Sequence, residues 1–303
     1  EQLLDDTLDY GHYRPGNFDG RFHGRVSAAD ALRHSLNVPA VAVLERAGVG
    51  ALYTRLQQLG FSTLRQPPAH YGLGLTLGNC AVRLDALAAA YCTIARLGDA
   101  VPLRVLQGGA YGSAHAPLDP ATCAALYTML EQSLPGTRAA GLPRVRRGPP
   151  RVAYKTGTST GYFDAWTIMF NRHWVVAVWL GNPDGRSAPQ LVGAEAALPL
   201  AARLFRRLPK RDTPAWPDVN AHLRETEVCP ASGLIHTQWC PDRATSALPC
   251  YQWRHRRCTV HGPGAAAVWP ARAQQWDLAQ VNAAAPPAIT HPASGASYVL
   301  TGD

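Results

Sequence analysis

Residues 151–180 read Arg151-Val-Ala-Tyr-Lys-Thr-Gly-Thr-Ser-Thr-Gly161, then Tyr162-Phe-Asp-Ala-Trp-Thr-Ile-Met-Phe170, then Asn171-Arg-His-Trp-Val-Val-Ala-Val-Trp-Leu180. Three short runs, 151–156, 163–170 and 173–180, are dense in Val, Ile, Thr, Trp and Phe, which fit a pleated, half-buried surface. Thr158-Ser-Thr-Gly161 and Asn171-Arg172 separate them and predict hairpin turns, so the runs should pair as an antiparallel meander. A helix with alanine and leucine on one face is expected from about residue 191 to 208.

Upstream, the period is helical. Ser27-Ala-Ala-Asp30 has the spacing of a capping box and opens a helix that runs toward Leu36. A break at Asn37-Val38 follows, and Pro39 is expected to begin the next helix. Leu84, Leu87, Ala88, Tyr91, Ile94 and Ala95 form an apolar stripe on a helix that ends at Gly98. Asp119-Pro120 supplies an N-cap and an N1 proline for a helix through Leu134. Helices, a meander and a closing helix imply an α+β domain with helices packed on an antiparallel sheet. After Leu208 the composition turns to proline, tryptophan and cysteine. The expected organisation is therefore a domain over residues 1–208, a Pro/Cys-rich connector over 209–285 and, over 286–303, the first strand of a further β domain, with Ser297-Tyr-Val-Leu300 as that strand.

Of 303 residues, 47% are hydrophobic and 17% charged, which describes a chain that folds around a core. The net charge of +8 is spread over arginine clusters at 144–151, 206–211 and 254–257. No aromatic-interleaved basic stripe or DNA-binding motif accompanies them, so they read as a solvated face and nucleic acid is not an expected partner. The longest apolar run, Trp174 to Leu180, is strand-sized, well short of the roughly 18 residues that span a bilayer. The chain opens at Glu1 without a basic-then-apolar signal, and is expected to be a fragment whose membrane anchor lies upstream.

The chemistry gathers at Lys155-Thr156-Gly157-Thr158. Among 29 basic residues only Lys155 and Lys210 are lysines. A compact ammonium beside two threonine hydroxyls on an edge strand offers a receptor for a carboxylate. Ser35-Leu36-Asn37, in a loop at a helix end, adds a hydroxyl able to relay a proton and a carboxamide able to hold a peptide bond. Each piece has a plainer meaning alone: Lys155-Thr-Gly as a solvent-facing turn, Ser35 as a helix-terminal polar residue, Asn37 as a turn former. A rival constellation is Gly157-Thr-Ser159-Thr-Gly161, which matches the nucleophile elbow of α/β-hydrolases; that elbow needs a helix after it, and here a strand is expected.

Ser35-x-Asn37 followed by Lys155-Thr-Gly resembles the second and third signature motifs of penicillin-binding proteins, the acyl-serine transpeptidases. The surrounding segments sharpen the match: Tyr13-Arg-Pro-Gly-Asn-Phe-Asp-Gly20, Ser35-Leu-Asn-Val-Pro-Ala-Val41, Tyr71-Gly-Leu-Gly-Leu-Thr-Leu-Gly78, Asp164-Ala-Trp166, Cys229-Pro-Ala-Ser-Gly233 and Pro292-Ala-Ser-Gly-Ala-Ser-Tyr298 are similar to class A enzymes of the 1C subtype. The resemblance implies a penicillin-binding transpeptidase fold and the D,D-transpeptidase region of a bifunctional cell-wall glycosyltransferase/transpeptidase. Lys155 would then attract the substrate carboxylate. Thr156 and Thr158 would hydrogen-bond it within the Lys155-Thr-Gly157-Thr strand, the Thr158 amide would serve the oxyanion hole, Ser35 would shuttle a proton and Asn37 would bind the stem-peptide amide.

The implied partners are peptidoglycan stem peptides and β-lactams, at the periplasmic face of the bacterial inner membrane, with no cofactor and no catalytic metal. The chain departs from the family pattern in lacking Ser-x-x-Lys: Val152 and Arg207 stand three residues before its two lysines. The nucleophile and base of the family are thus expected from polypeptide upstream, as is the glycosyltransferase domain. Phe163 stands where the subtype usually carries arginine. A non-catalytic cell-wall binding or scaffold role is the alternative to an enzyme, with a serine hydrolase using Ser159 behind it.

Cys80, Cys92 and Cys123 sit singly in apolar helical stretches and read as small core residues. Cys229, Cys240, Cys250 and Cys258 crowd the connector. In a periplasmic protein a Cys229–Cys240 disulfide, or one involving Cys258, is the first expectation. Structural zinc using Cys258-x-x-His261 and two earlier cysteines, or free thiols, are the other two.

Overall fold

The computed structural model describes residues 1–105, 115–134, 151–209, 211, 214–250, 255–264 and 267–276. The final segment, 286–303, and Lys210 lie outside the described residues. The expected α+β architecture is present. The meander forms β4 (Val152–Thr158), β5 (Asp164–Phe170) and β6 (Val175–Gly181), joined at one side by the two-residue β3 (Glu131–Gln132) in the order β3-β4-β5-β6, all antiparallel. Strand pleating divides the sheet into two faces. Val152, Tyr154, Ala165, Met169 and Val178 pack against α7 (Leu198–Arg207) through Ala201, Ala202 and Phe205. Ala153 and Phe170 face the other way, onto Ala95 of α5 (Leu84–Ala95) and Tyr127 and Leu130 of α6 (Pro120–Leu130). Lys155, two residues from Ala153, shares this second face.

Several boundaries differ from the sequence reading for physical reasons. Strand β4 runs on through Gly157 to Thr158 instead of stopping at Thr156, because Ile168, Thr167, Trp166 and Ala165 keep register with Lys155 to Thr158 up to the hairpin. The whole stretch lies on the open edge of the sheet, since β3 pairs no further than Val152 and Ala153. The α6 helix stops at Leu130, where Glu131 turns extended to pair with Ala153. The 191–208 segment begins as a wide π-type turn over Gly193–Ala197 before α7. Gly193 there lies so close to β4 and β5 that a Cβ would collide with the carbonyl oxygens of Gly157 and Trp166. The connector carries an unforeseen hairpin, β7 (Leu223–Val228) with β8 (Ala244–Pro249). Its approach is also part of the core: Val219 is buried and the Trp216 ring packs edge-on against Tyr127 at 4.8 Å.

At the N-terminus β1 (Gln2–Asp5) pairs with β2 (Gly24–Ser27), which leads into α1 (Ala28–Arg33) and α2 (Asn37–Ala47). Ser27 caps α1 as expected: its Oγ accepts from the Asp30 amide, and its hydroxyl donates to Asp30 Oδ2 at 2.7 Å. The second helix begins at Asn37, two residues before Pro39. Its N-cap position is Leu36, which has no side-chain acceptor, so the cap comes from a distant residue. Asn17 Oδ1 accepts the amides of Asn37 (2.9 Å) and Val38 (3.3 Å). Asn17 Nδ2 donates to both carboxylate oxygens of Asp5 at 2.8 Å and to the Arg21 carbonyl at 2.7 Å. The fully buried Asp5 is completed by the His23 amide at 2.9 Å and by His23 Nδ1 at 2.7 Å.

Replacing Asn17 therefore removes several bonds at once and leaves a buried carboxylate and two helix-end amides under-satisfied. Asn17→Ala is expected to destabilise the domain by about 2–4 kcal/mol, read from urea unfolding.

Candidate active site

Ser35 is placed by the way α1 ends. The Ser35 amide donates to the Leu32 carbonyl and the Leu36 amide to the Ala31 carbonyl at 2.9 Å, the pairing of a Schellman C-cap. That motif needs its C′ residue in the left-handed region, and Ser35 sits at φ 57°, a place glycine normally fills. Leu36 and Ala31, the apolar pair of the motif, are both buried. The hydroxyl is thereby held out from the α1–α2 junction, facing the sheet.

On the sheet side, Lys155 Nζ donates to Ser35 Oγ and, at 2.8 Å, to the Thr156 carbonyl oxygen. These two groups are 120 residues apart in sequence. Burial pushes the Lys155 ammonium down from its ordinary value to about 8. The second half of β4 adds directed donors. The Ser159 amide donates to the Asp164 carbonyl at 3.0 Å, so by antiparallel alternation the Thr158 N–H points away from β5, to the side that β3 leaves open. The Thr158 hydroxyl accepts the Gly193 amide at 2.9 Å and keeps its own proton to donate elsewhere. Thr156 and Gly157 lie between these groups, in register with Thr167 and Trp166.

Asn37, the first residue of α2, donates its side-chain Nδ2 to the Gly16 carbonyl at 2.9 Å, which leaves Oδ1 as the acceptor it can offer. The structure brings Ser35 and Lys155 together and sets Asn37 one helical step away, on the loop ordered by Asn17. A cavity of about 460 Å³ opens beside them, lined by Asn17, Phe18, His23, Asp30, His34 and Ser35. A larger hollow, about 620 Å³, lies beside Arg83, Asp85 and Ala177 and holds none of these groups. Phe18, 65% exposed, meets the hairpin tip through an edge contact with Tyr162 at 6.1 Å. Phe163, in the position noted above, is exposed and folds back over Gly161.

The strand expected after Gly157-Thr-Ser159-Thr-Gly161, where a hydrolase elbow needs a helix, is present. Ser159 is in the β4–β5 turn, and its Oγ accepts the amides of Phe163 (3.1 Å) and Asp164 (2.8 Å). The connector cysteines differ from the first expectation. All are free thiols; Cys250 is exposed, while the sulfurs of Cys229, Cys240 and Cys258 converge on His261. Asp5, Asn17 and His23 support the site, and no motif in the sequence marks them as a network. Asn17 was visible only as one residue of the 13–20 segment.

A lysine on a sheet strand facing a Ser-x-Asn at a helix junction, with an open strand edge beside it, defines a penicillin-recognising transpeptidase fold. No protein-family model matches the chain. Over 198 residues it is 38% identical to penicillin-binding protein 1C of Escherichia coli K12, covering 65% of this chain and 25% of that protein. Over 200 residues it is 30% identical to penicillin-binding protein 1A of Aquifex aeolicus, covering 61% and 26%. The crystal structure of penicillin-binding protein 1A from Haemophilus influenzae superposes with a TM-score of 0.61 at 17% identity, over 84% of this chain and 45% of that one. The PonA1 penicillin-binding protein of Mycobacterium tuberculosis, in complex with penicillin V, gives 0.56 at 21%. At those identities the structures speak for the fold. The chain spans about a quarter of the length of the curated relatives it matches. Its sequence similarity and its fold are both to penicillin-binding proteins.

The left-handed backbone at Ser35 separates two effects. Ser35→Gly and Ser35→Ala both lose the hydroxyl, but only alanine keeps a Cβ in the left-handed region. The glycine variant is expected to be the more stable of the two by about 1 kcal/mol in urea unfolding.

Proposed function

We propose that this chain is the substrate-carboxylate half of a peptidoglycan D,D-transpeptidase site, within a bifunctional cell-wall glycosyltransferase/transpeptidase. The observation that carries the reading is the Lys155–Ser35 contact across the cleft between sheet and helices. In this reading the terminal carboxylate of a D-alanyl-D-alanine stem peptide lies along the open half of β4. Lys155 attracts it by charge, and the hydroxyls of Thr156 and Thr158 donate to it. The Thr158 N–H, pointing off the open strand side, receives the developing oxyanion; one such donor is worth roughly 10²–10³ in rate. Asn37 Oδ1 accepts from the stem-peptide amide.

Ser35 relays the proton. Its Oγ accepts from the Lys155 ammonium, so the Ser35 hydroxyl proton is the one handed to the departing D-alanine amine, and Lys155 replaces it. A lysine with a pKa near 8 can make that transfer at neutral pH with a small energy gap. The acyl-serine step itself needs a Ser-x-x-Lys nucleophile, which these 303 residues do not contain. β-Lactams, as mimics of the same dipeptide, would enter the same groove. The reading puts the site at the periplasmic face of the inner membrane, where peptidoglycan is assembled. No helix among the described residues is long and apolar enough to cross a membrane.

The test is binding of an N-acylated D-alanyl-D-alanine peptide to the chain, followed by NMR. Lys155→Ala is expected to weaken it about 10- to 100-fold, the range for losing a charge-assisted hydrogen bond. Wild-type affinity should be highest below pH 8 and fall as pH rises through the Lys155 pKa of about 8, because the ammonium is lost there. Lys155→Arg, charged throughout, should flatten that profile. An amidated C-terminus that binds as well as the free acid would overturn the reading, as would a penicillin adduct on Ser159.

A further inference from the structure

Outside the site just described, the most concentrated chemistry among the described residues is in the connector. Cys229 lies just past the end of β7, Cys240 in the loop before β8, and Cys258 and His261 on a Cys-x-x-His turn beyond it. The four donor atoms, three Sγ and one imidazole nitrogen, all lie within 4.8 Å of one another. His261 Nδ1 is 3.4 Å from Cys229 Sγ and 3.5 Å from Cys258 Sγ.

Those separations discriminate between the possible chemistries. A disulfide holds its sulfurs ~2.05 Å apart, and none is formed here. A tetrahedral zinc, at ~2.3 Å from sulfur and ~2.1 Å from nitrogen, puts a sulfur and a nitrogen ligand about 3.6 Å apart and two sulfurs about 3.8 Å apart. The observed sulfur–nitrogen distances are those of the edges of such a tetrahedron. The three cysteines are buried with Val260, and Ala231, Leu234 and Trp269 close the cluster. Nothing in an apolar cluster of this size requires four soft donors to point at one spot.

The backbone is arranged to hold them there. The Cys229 amide donates to the Leu234 carbonyl and the Cys258 amide to the Ile235 carbonyl, both at 2.8 Å, so the two chain segments are tied side by side. The Thr237 amide lies 3.4 Å from Cys240 Sγ and donates to it, as thiolates prefer.

We propose that Cys229, Cys240, Cys258 and His261 form a structural Zn²⁺ site. Binding expels three thiol protons, leaving three thiolates, a neutral imidazole and the dication with a net charge of −1. Four protein ligands close the coordination sphere, so the ion holds structure and offers no open position for catalysis. Its place in the fold gives it a purpose. The Ser232 carbonyl, within the Cys229 turn, accepts the Gln2 amide of β1 at 2.9 Å, and Arg256 meets Glu1 at 3.5 Å. The zinc module is thus fastened to the strand that carries Asp5.

The whole chain, purified under reducing conditions without chelator, is measured for metal by mass spectrometry. About one zinc per chain is expected. Cys258→Ser and His261→Ala should lower zinc affinity by more than the ~10–100-fold seen when only an outer-shell partner is lost, whereas Cys80→Ser and Cys250→Ser should keep the metal. Should the ligand variants fail to fold, Co²⁺ substitution of the wild-type chain decides the matter, with thiolate charge-transfer absorption and the intense visible bands of a tetrahedral ion expected. A wild-type chain that takes up neither ion overturns the proposal. So does a Cys229–Cys240 disulfide in the protein exported to the periplasm, or zinc retained undiminished in Cys258→Ser.

Discussion

A half-buried ammonium fixes the relation between the two halves of this domain. Lys155 is carried by the central sheet and Ser35 by the junction of the first two helices, and the hydrogen bond between them spans the cleft. Sheet and helices are brought face to face by apolar packing through Ala153, Phe170, Tyr127 and Leu130, which does not specify a polar contact at its margin. Among the described residues the lysine has one other hydrogen-bond partner, the Thr156 carbonyl, so its charge is only lightly compensated, and burial drives its pKa down to about 8. An uncompensated cation at a groove margin is costly for folding and well suited to receiving a carboxylate.

The helix side is similarly organised around function at some expense to local stability. Glycine would end α1 with less strain; serine stands there at positive φ, with its hydroxyl held toward Lys155. The next helix begins with no cap of its own, and Asn17 supplies one from a loop twenty residues earlier while also shielding the carboxylate of Asp5. The same asparagine therefore sets where Ser35-x-Asn37 sits and where β1 sits. On the opposite side of the sheet, Gly193 approaches the Gly157 carbonyl and donates to Thr158, which stiffens the strand that carries the lysine.

The parts legible in the sequence were those governed by local chemistry. Alternating branched and aromatic residues gave the meander, and Ser27 and Asp119 marked helix starts that the structure places at Ala28 and Pro120. The pairing of Ser35 with Lys155 was reached through resemblance to a family; nothing in the spacing of residues 120 positions apart implies contact. Asp5, Asn17 and His23 were invisible because their network is made by tertiary folding alone. The β7–β8 hairpin was hidden by proline and charge, which suggest loop where two exposed strands pair. The extension of β4 through Gly157 shows register overriding a glycine's preference for turns. Among the cysteines, Cys258-x-x-His261 was visible as a possible ligand pair, but which earlier cysteines meet it was not, since the convergence depends on how the hairpin folds back.

The most direct test of the Lys155–Ser35 interaction uses the scarcity of lysine. With only Lys155 and Lys210 in the chain, nitrogen-detected NMR of the side-chain amines gives two signals that can be followed across pH. One lysine titrating near pH 8, moving further down in Ser35→Ala, which takes an acceptor from the ammonium, and upward on binding a carboxylate ligand, is the predicted result. Two lysines titrating together in the ordinary lysine range, insensitive to Ser35, would contradict a buried ammonium at the cleft and the site built on it.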